Sequence, residues 1–328
     1  MFGGLLIERV RTQVAQLPDI SLRRFIVRYG VYVSLAVLLI VAAFMTPDLY
    51  SERMRFVVFR QAAQLGIVAI GQTLVLLVAG LDLSVGGVIV LTSVIIAEVS
   101  GGQDSRLVPA LLVALLFGVG IGLGNGLLVT KRNVPPFVAT LGMLVLIRGG
   151  QTAYTKGIPS GYVPDALNVV NEEIGPIPVP VVLWFGLNVI IAFVLLATPY
   201  GRQVYAVGSN RQAARLSGIK VDRILISVYI LCSLLAVSAG IVLTGYIGYV
   251  DRYLGRGLDL DSIAAAIVGG TTFTGGRGSL LGTVAGVFLV QILSSMTVLL
   301  GLDVQTQLII KGSVIVGAVA LYSIAGRE

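Results

Sequence analysis

Few residues in this chain of 328 are placed to do chemistry. The run Gly80-Leu81-Asp82-Leu83-Ser84-Val85-Gly86-Gly87 sets a carboxylate between two apolar segments. An ionisable side chain at membrane depth is costly unless it is partnered, which makes Asp82 a functional candidate. Asp82 fits a plain cap equally well, accepting backbone N–H groups near Ser84 at the start of the next helix. A cap on a broken helix beside a pathway satisfies both readings. Two more carboxylates, Asp259 and Asp261, open the segment that ends in Gly269-Gly270-Thr271-Thr272-Phe273-Thr274-Gly275-Gly276-Arg277-Gly278. Its glycines suggest a phosphate loop, but the Walker pattern requires Lys followed by Ser or Thr after the last Gly. Arg277-Gly278 breaks that pattern, and Lys131, Lys156, Lys220 and Lys311 all sit in other contexts. No ATP site is expected, and the glycines suit two helices and a turn packed closely within a membrane.

The chain has no histidine and one cysteine, Cys232. Most zinc chemistry, any disulfide, histidine-dependent hydrolysis and histidine proton relays are therefore excluded, and no catalytic residue, metal or cofactor is expected. Glu98 and Asp82 lie near segment ends, which weakens the case for an ion-coupled secondary carrier with mid-membrane carboxylates. Lys311, two turns into the last apolar run, either pairs with a carbonyl or helix C-terminus or binds substrate.

The longest basic loop, 199–223, contains Gly208-Ser209-Asn210-Arg211-Gln212-Ala213-Ala214-Arg215-Leu216-Ser217-Gly218. Ser209 with Gln212 three residues on reads as a capping box, and Gly218 can take the left-handed conformation that ends a helix. The expectation is a two-turn helix with Arg211 and Arg215, four apart, on one face. Ala213, Ala214 and Leu216 suit docking on a protein, and the arginines suit anionic lipid equally well.

The elements that must position these groups are membrane helices. Hydrophobic residues make up 56% of the chain and charged residues 12%, against about 25% charged in soluble proteins. Apolar segments fall near 29–46, 62–80, 84–99, 107–129, 135–153, 180–198, 224–246, 260–274, 279–300 and 305–325. Each approaches the ~20 residues that cross a bilayer as a helix. The expected fold is all-α: a polytopic transmembrane bundle of about ten helices, with broken or re-entrant segments at Ser84 and Thr274. Gly80-Leu81-Asp82-Leu83 recurs as Gly257-Leu258-Asp259-Leu260. With the copies expected on opposite sides of the membrane, this is a candidate trace of an inverted repeat.

Of 23 Lys and Arg, 14 fall on one side, including Arg9, Arg11 and Arg327, and five of those crowd into 199–223. Basic residues favour cytoplasmic loops, so both termini are expected inside. Residues 1–28 then form a cytoplasmic segment and 29–325 the membrane domain. No cleavable signal is expected. Charge so distributed marks orientation, not nucleic-acid binding. Trp184, Tyr29, Tyr32, Tyr200 and Tyr322 near span ends suit interfacial anchoring. The largest exterior loop, Tyr154 to Pro180, either touches an external partner or covers the bundle.

Several motifs, in order over about 60–325, together carry a resemblance. They are Gly71-Gln72-Thr73-Leu74-Val75, the Asp82 run, Ala139-Thr140-Leu141-Gly142-Met143 with Arg148-Gly149, Gly201 through Ile219, and Leu260-Asp261-Ser262-Ile263 through Gly278. The chain resembles the membrane permease subunit of bacterial ribose-type sugar ABC importers. The resemblance implies a non-enzymatic inner-membrane permease that pairs with a second permease subunit, identical or homologous. It also implies a periplasmic sugar-binding protein outside and a cytoplasmic ABC ATPase inside. The ATPase contact would fall on Gly201, Ala206, Gly208, Ser209, Asn210, Arg211, Ala213, Ala214, Arg215 and Gly218. The pathway or gate would include Gln72, Asp82, Ser84, Asp261, Thr271 and Phe273. An importer for branched-chain amino acids is the nearest alternative. The tract from Tyr246 to Gly257 departs from the family pattern.

Overall fold

The computed structural model describes residues 22–157, 161–251 and 253–325. Arg9, Arg11, Arg252, Arg327 and most of the 1–28 segment lie outside them. Every apolar segment becomes a helix: α1 Leu22–Met45, α2 Glu52–Leu77, α3 Val85–Ser100, α4 Leu107–Lys131, α5 Pro136–Thr155 and α6 Val179–Ala197. Two further helices occupy the basic loop, α7 Pro199–Ser209 and α8 Arg211–Leu216, and then come α9 Val221–Ile247, α10 Leu258–Val268, α11 Leu280–Leu299 and α12 Val304–Ala325. Local chemistry sets the boundaries. Ser51 caps α2 by accepting from Met54 N, Ser279 caps α11 by accepting from Gly282 N, and prolines sit in the first turns of α5 and α6. Among the described residues, α4 (counted with the short turn before it), α6, α9 and α11 are individually long and apolar enough to cross a membrane.

Helix α9 is central, packed on α4, α2 and α3. Its approach to α4 is set by glycines four apart. A Cβ at Gly118 would press on Val237, one at Gly122 on the Ile230 backbone and one at Gly126 on Ile226. Such a stripe of small residues lets membrane helices pack backbone to backbone.

The expected breaks are real, and they form two half-helices. After α2 ends, the chain turns back into the bundle through Gly80 to Ser84, beside Tyr229, which lies eight residues into α9. At 1.5 Å per residue, α3 thus begins about 12 Å from that end of α9 and runs to the far end. The stretch after α9 does the reverse. Val250 packs on Val94 and Ala97, Gly255 meets Ile89, and Asp259 meets Gly86. Helix α10 then completes the other half of the crossing and ends at Val268, earlier than the expected 274. The second tetrapeptide therefore meets the first turn of α3, just past the first tetrapeptide, so the two copies lie at the starts of facing half-helices instead of on opposite sides.

Trp184 corrects the interfacial reading. It is fully buried, its indole seated where Gly66 of α2 lacks a side chain. The exterior loop covers the end of α9 with the 3-10 turn Asp165–Asn171, whose Leu167 and Val170 are buried. A short hairpin, β1 Glu173–Ile174 paired with β2 Ile177–Pro178, leads into α6.

Candidate functional site

The loop read as one capped helix is two helices. Thr198 caps α7, and Asn210, extended at φ −160°, caps α8 by accepting from Gln212 N and Ala213 N at 3.0 Å each. The cap is therefore Asn210 and not Ser209, which ends α7 and donates its Oγ–H to Tyr205 O at 2.9 Å. Helix α8 spans six residues instead of two full turns, and Gly218, left-handed at φ +81°, follows its end as expected.

Arg211 and Arg215 do not share a task. Arg215 is exposed and pairs with Asp222 at 3.0 Å, which also takes Lys131 at 2.7 Å. Arg211 turns inward and donates to Val78 O at 2.9 Å and Ala79 O at 3.4 Å, at the C-terminus of α2 where the helix presents unpaired carbonyls. Beside it the α7 backbone lies directly on the same turn, because a Cβ at Gly208 would overlap Leu77 O.

The glycine-rich stretch after α10 closes the arrangement. Gly276 N donates to the same Leu77 O at 2.8 Å, Tyr205 OH donates to Gly278 O at 3.1 Å, and Thr272 N donates to Arg277 O at 3.0 Å. Burial raises the Tyr205 pKa, so its phenol stays a donor. Cβ atoms at Gly275 and Gly276 would strike Ala79 and Ser209. One junction thus binds α7 and α8 to the segment entering half-helix α3 and to the segment leaving half-helix α10. Gly201, where a Cβ would overlap Leu195 O, sets the tight α6–α7 turn. Ala206 accepts from Asn210 N, and Ala214 is buried under α8. Gln212, Ala213, Arg215 and Leu216 are left facing outward.

The family model described as "Branched-chain amino acid transport system / permease component" matches residues 54–319. The chain belongs to this permease family. It is 38% identical over 292 residues to the ribose import permease protein RbsC of Escherichia coli strain K12, covering 88% of this chain and 91% of that one. It is 36% identical over 300 residues to RbsC of Bacillus subtilis strain 168, covering 90% and 92%. The fructose import permease protein FrcC of Rhizobium meliloti is 37% identical over 275 residues, covering 80% and 76%. No solved structure matches the chain. Together the matches make this permease a ribose-type member of the ABC importers and a multi-pass inner-membrane protein. It is a transport component, not an enzyme.

Within the permease, Gln72, Asp82 and Ser84 come together and all are fully buried. Gln72 Nε2 donates to Asp82 O at 2.5 Å, and Asp82 Oδ1 accepts from Ser84 N at 2.9 Å and Ser84 Oγ at 2.5 Å. Asp82 thus accepts a backbone N–H at Ser84 as expected, but Ser84 is the residue before α3 and no side chain caps the helix's own first N–H groups; the carboxylate still sits favourably at the positive end of α3. Asn125 of α4 completes the network, donating Nδ2 to Ser84 Oγ at 2.9 Å. Sequence reasoning missed it, although it stands alone as a polar side chain in an apolar run. Asp82 Oδ2 has no hydrogen-bond partner among the described residues.

Asp261, Thr271 and Phe273 lie apart from this network. Asp261 pairs with Lys311 at 2.9 Å, so Lys311 meets a carboxylate and not the expected carbonyl or helix end. Thr271 is buried against Gly278 in the junction, and Phe273 is 44% exposed beside it. On the far side of the half-helix meeting point lies a cavity of about 430 Å³. Its floor includes Gly86, and its walls include Arg148, Gln151, Thr152, Tyr253 and Arg256, with Arg256 stacked over the Tyr253 ring at 5.7 Å.

Proposed function

We propose that this permease imports a sugar handed to it by a periplasmic binding protein, using ATP hydrolysis in a separate cytoplasmic ATPase. The relatives named for ribose and fructose import match along most of their length, which supports the sugar. The observation that carries the mechanism is the junction in which Gly208, Arg211 and Gly276 hold the entry to α3 and the exit of α10 together. The outward face of α8 is the ATPase contact, and this end of the bundle is cytoplasmic. Lys131, Arg132, Arg202, Arg215, Lys220 and Arg223 cluster there, as the positive-inside rule requires. Residues 1–28 and the C-terminus belong to the same side, and residues 29–325 are the membrane domain.

Movement of α7 and α8 shifts both half-helices at once, because each is tied to the junction through only a few residues. The half-helices part where Gly86 faces Asp259, at the floor of the outer cavity, and that contact is the gate. The Gln72–Asp82–Ser84–Asn125 network holds the α3 end rigid while it moves. Partly exposed Asp261 and Lys311, with Arg148 and Gln151 on α5, would be costly against lipid. A second permease subunit covers them and encloses the pathway.

The family description also favours a second reading, import of branched-chain amino acids. Proteoliposomes holding the permease, its ATPase and its binding protein separate the readings. ATP-dependent accumulation of labelled ribose or fructose, but not leucine, is expected. Leucine uptake would establish the second reading, and sugar uptake by the permease alone on a sodium or proton gradient would make it a secondary carrier.

A further inference from the structure

Two apolar grooves flank Phe59 near the start of α2, outside everything assigned above. One, of about 640 Å³, runs between α2, the hairpin and α6, with Phe56, Val182 and Phe185 in its walls. The other, of about 330 Å³, runs between α1, α2 and α11, lined by Leu35, Leu39, Phe288 and Ile292. Phe59 is the partition, held edge-on against Phe288 at 5.5 Å, which in turn packs on buried Trp184 at 5.5 Å. Both grooves reach Arg55, and Glu52 stands one turn away at the rim of the larger. Neither charged side chain has an ion pair or hydrogen bond among the described residues. The rim lies in the first turn of α2, just after the Pro47–Tyr50 turn that joins it to α1. That is the level of lipid head groups for a helix pair crossing the bilayer.

We infer that the grooves bind one diacyl phospholipid with a zwitterionic amine head group. One acyl chain lies on each side of Phe59, Arg55 takes the phosphate and Glu52 takes the ammonium. Two apolar channels leaving one charged point match two tails on one head. Beyond the Arg55 and Glu52 rim the walls are apolar side chains and Tyr50, whose hydroxyl is spent on Leu39 O, so the depth of the grooves would leave sugar hydroxyl or peptide amide groups buried without partners. The paired opposite charges favour a zwitterion over a purely anionic head group.

Native mass spectrometry of the purified permease in detergent tests this, with dioleoylphosphatidylethanolamine, dioleoylphosphatidylglycerol and lysophosphatidylethanolamine as probes. One retained dioleoylphosphatidylethanolamine per chain is expected, bound roughly tenfold more tightly than the other two, a difference of about 1.4 kcal/mol. Arg55→Ala and the groove-filling Val182→Trp should each abolish the preference, and Arg53→Ala, at an exposed position outside both grooves, should keep it. Unchanged helix content in Arg55→Ala separates loss of the site from misfolding. Equal retention of all three lipids, a preference that survives Arg55→Ala, or grooves closed by a second copy of the chain would overturn the inference.

Discussion

Gly208→Val is expected to abolish ATP-driven uptake while the bundle stays folded. The new side chain would overlap Leu77 O and crowd Gly276 N, the two atoms whose hydrogen bond joins the α2 end to the glycine-rich stretch. Relief requires α7 to lift away, which takes Arg211 from Val78 O and Ala79 O. Overpacking of this kind costs about 1–3 kcal/mol, roughly five- to 150-fold in the fraction of junctions closed. Helix α9 packs mainly on α4, α2 and α3 and only at its start on Val204 and Val207 of α7, so helix content and membrane insertion should match the parent. Uptake in proteoliposomes, beside circular dichroism of the same preparation, checks both halves. Normal uptake would mean that the junction carries no force.

The second large effect belongs to Asp82. Asp82→Ala strands the Ser84 N–H and O–H in a fully buried site and leaves Asn125 bound to a hydroxyl that has lost its own acceptor. Each stranded buried group costs about 1–3 kcal/mol, so thermal unfolding should fall by on the order of 5–10 °C. Asp82→Asn retains an acceptor oxygen at the Ser84 position and should unfold within about 4 °C of the parent. Asp82→Asn should also sustain ATP-driven uptake, because the carboxylate serves here as an acceptor and not as an ion-coupling charge. Loss of uptake in a well-folded Asp82→Asn would return the ion-coupled reading to consideration.

Much of this was legible in the sequence, for physical reasons that differ by residue. Apolar runs long enough to cross a bilayer announce helices directly, and each run carries a helix, with ends shifted by up to about ten residues as at Glu52 and Val268. Asp82 announced itself as a carboxylate in an apolar setting, and Gly218 as a helix stop. The cap was misplaced by one residue because Ser209 and Asn210 are both good caps, and only the extended backbone at Asn210 decides between them. The α2 side of the junction could not be read at all. Leu77, Val78 and Ala79 contribute carbonyl oxygens, which every residue carries, and no side-chain signature marks them. The descent from Gly248 to Gly257 was equally hidden, since its depth is set by contacts with Val94 and Ile89, far away in sequence. Trp184 misled because tryptophan is common at interfaces, whereas the vacancy that receives it belongs to Gly66 on another helix.

The central claim is that ATP-driven movement reaches the half-helices through the Arg211 junction. Simultaneous measurement of ATP hydrolysis and sugar uptake in the reconstituted complex of Arg211→Ala tests it most directly. The exposed face of α8 remains, so the complex should assemble and hydrolyse ATP, while sugar moved per ATP should fall about tenfold or more, equivalent to about 1.4 kcal/mol of lost coupling. An unchanged ratio of sugar to ATP would contradict the account.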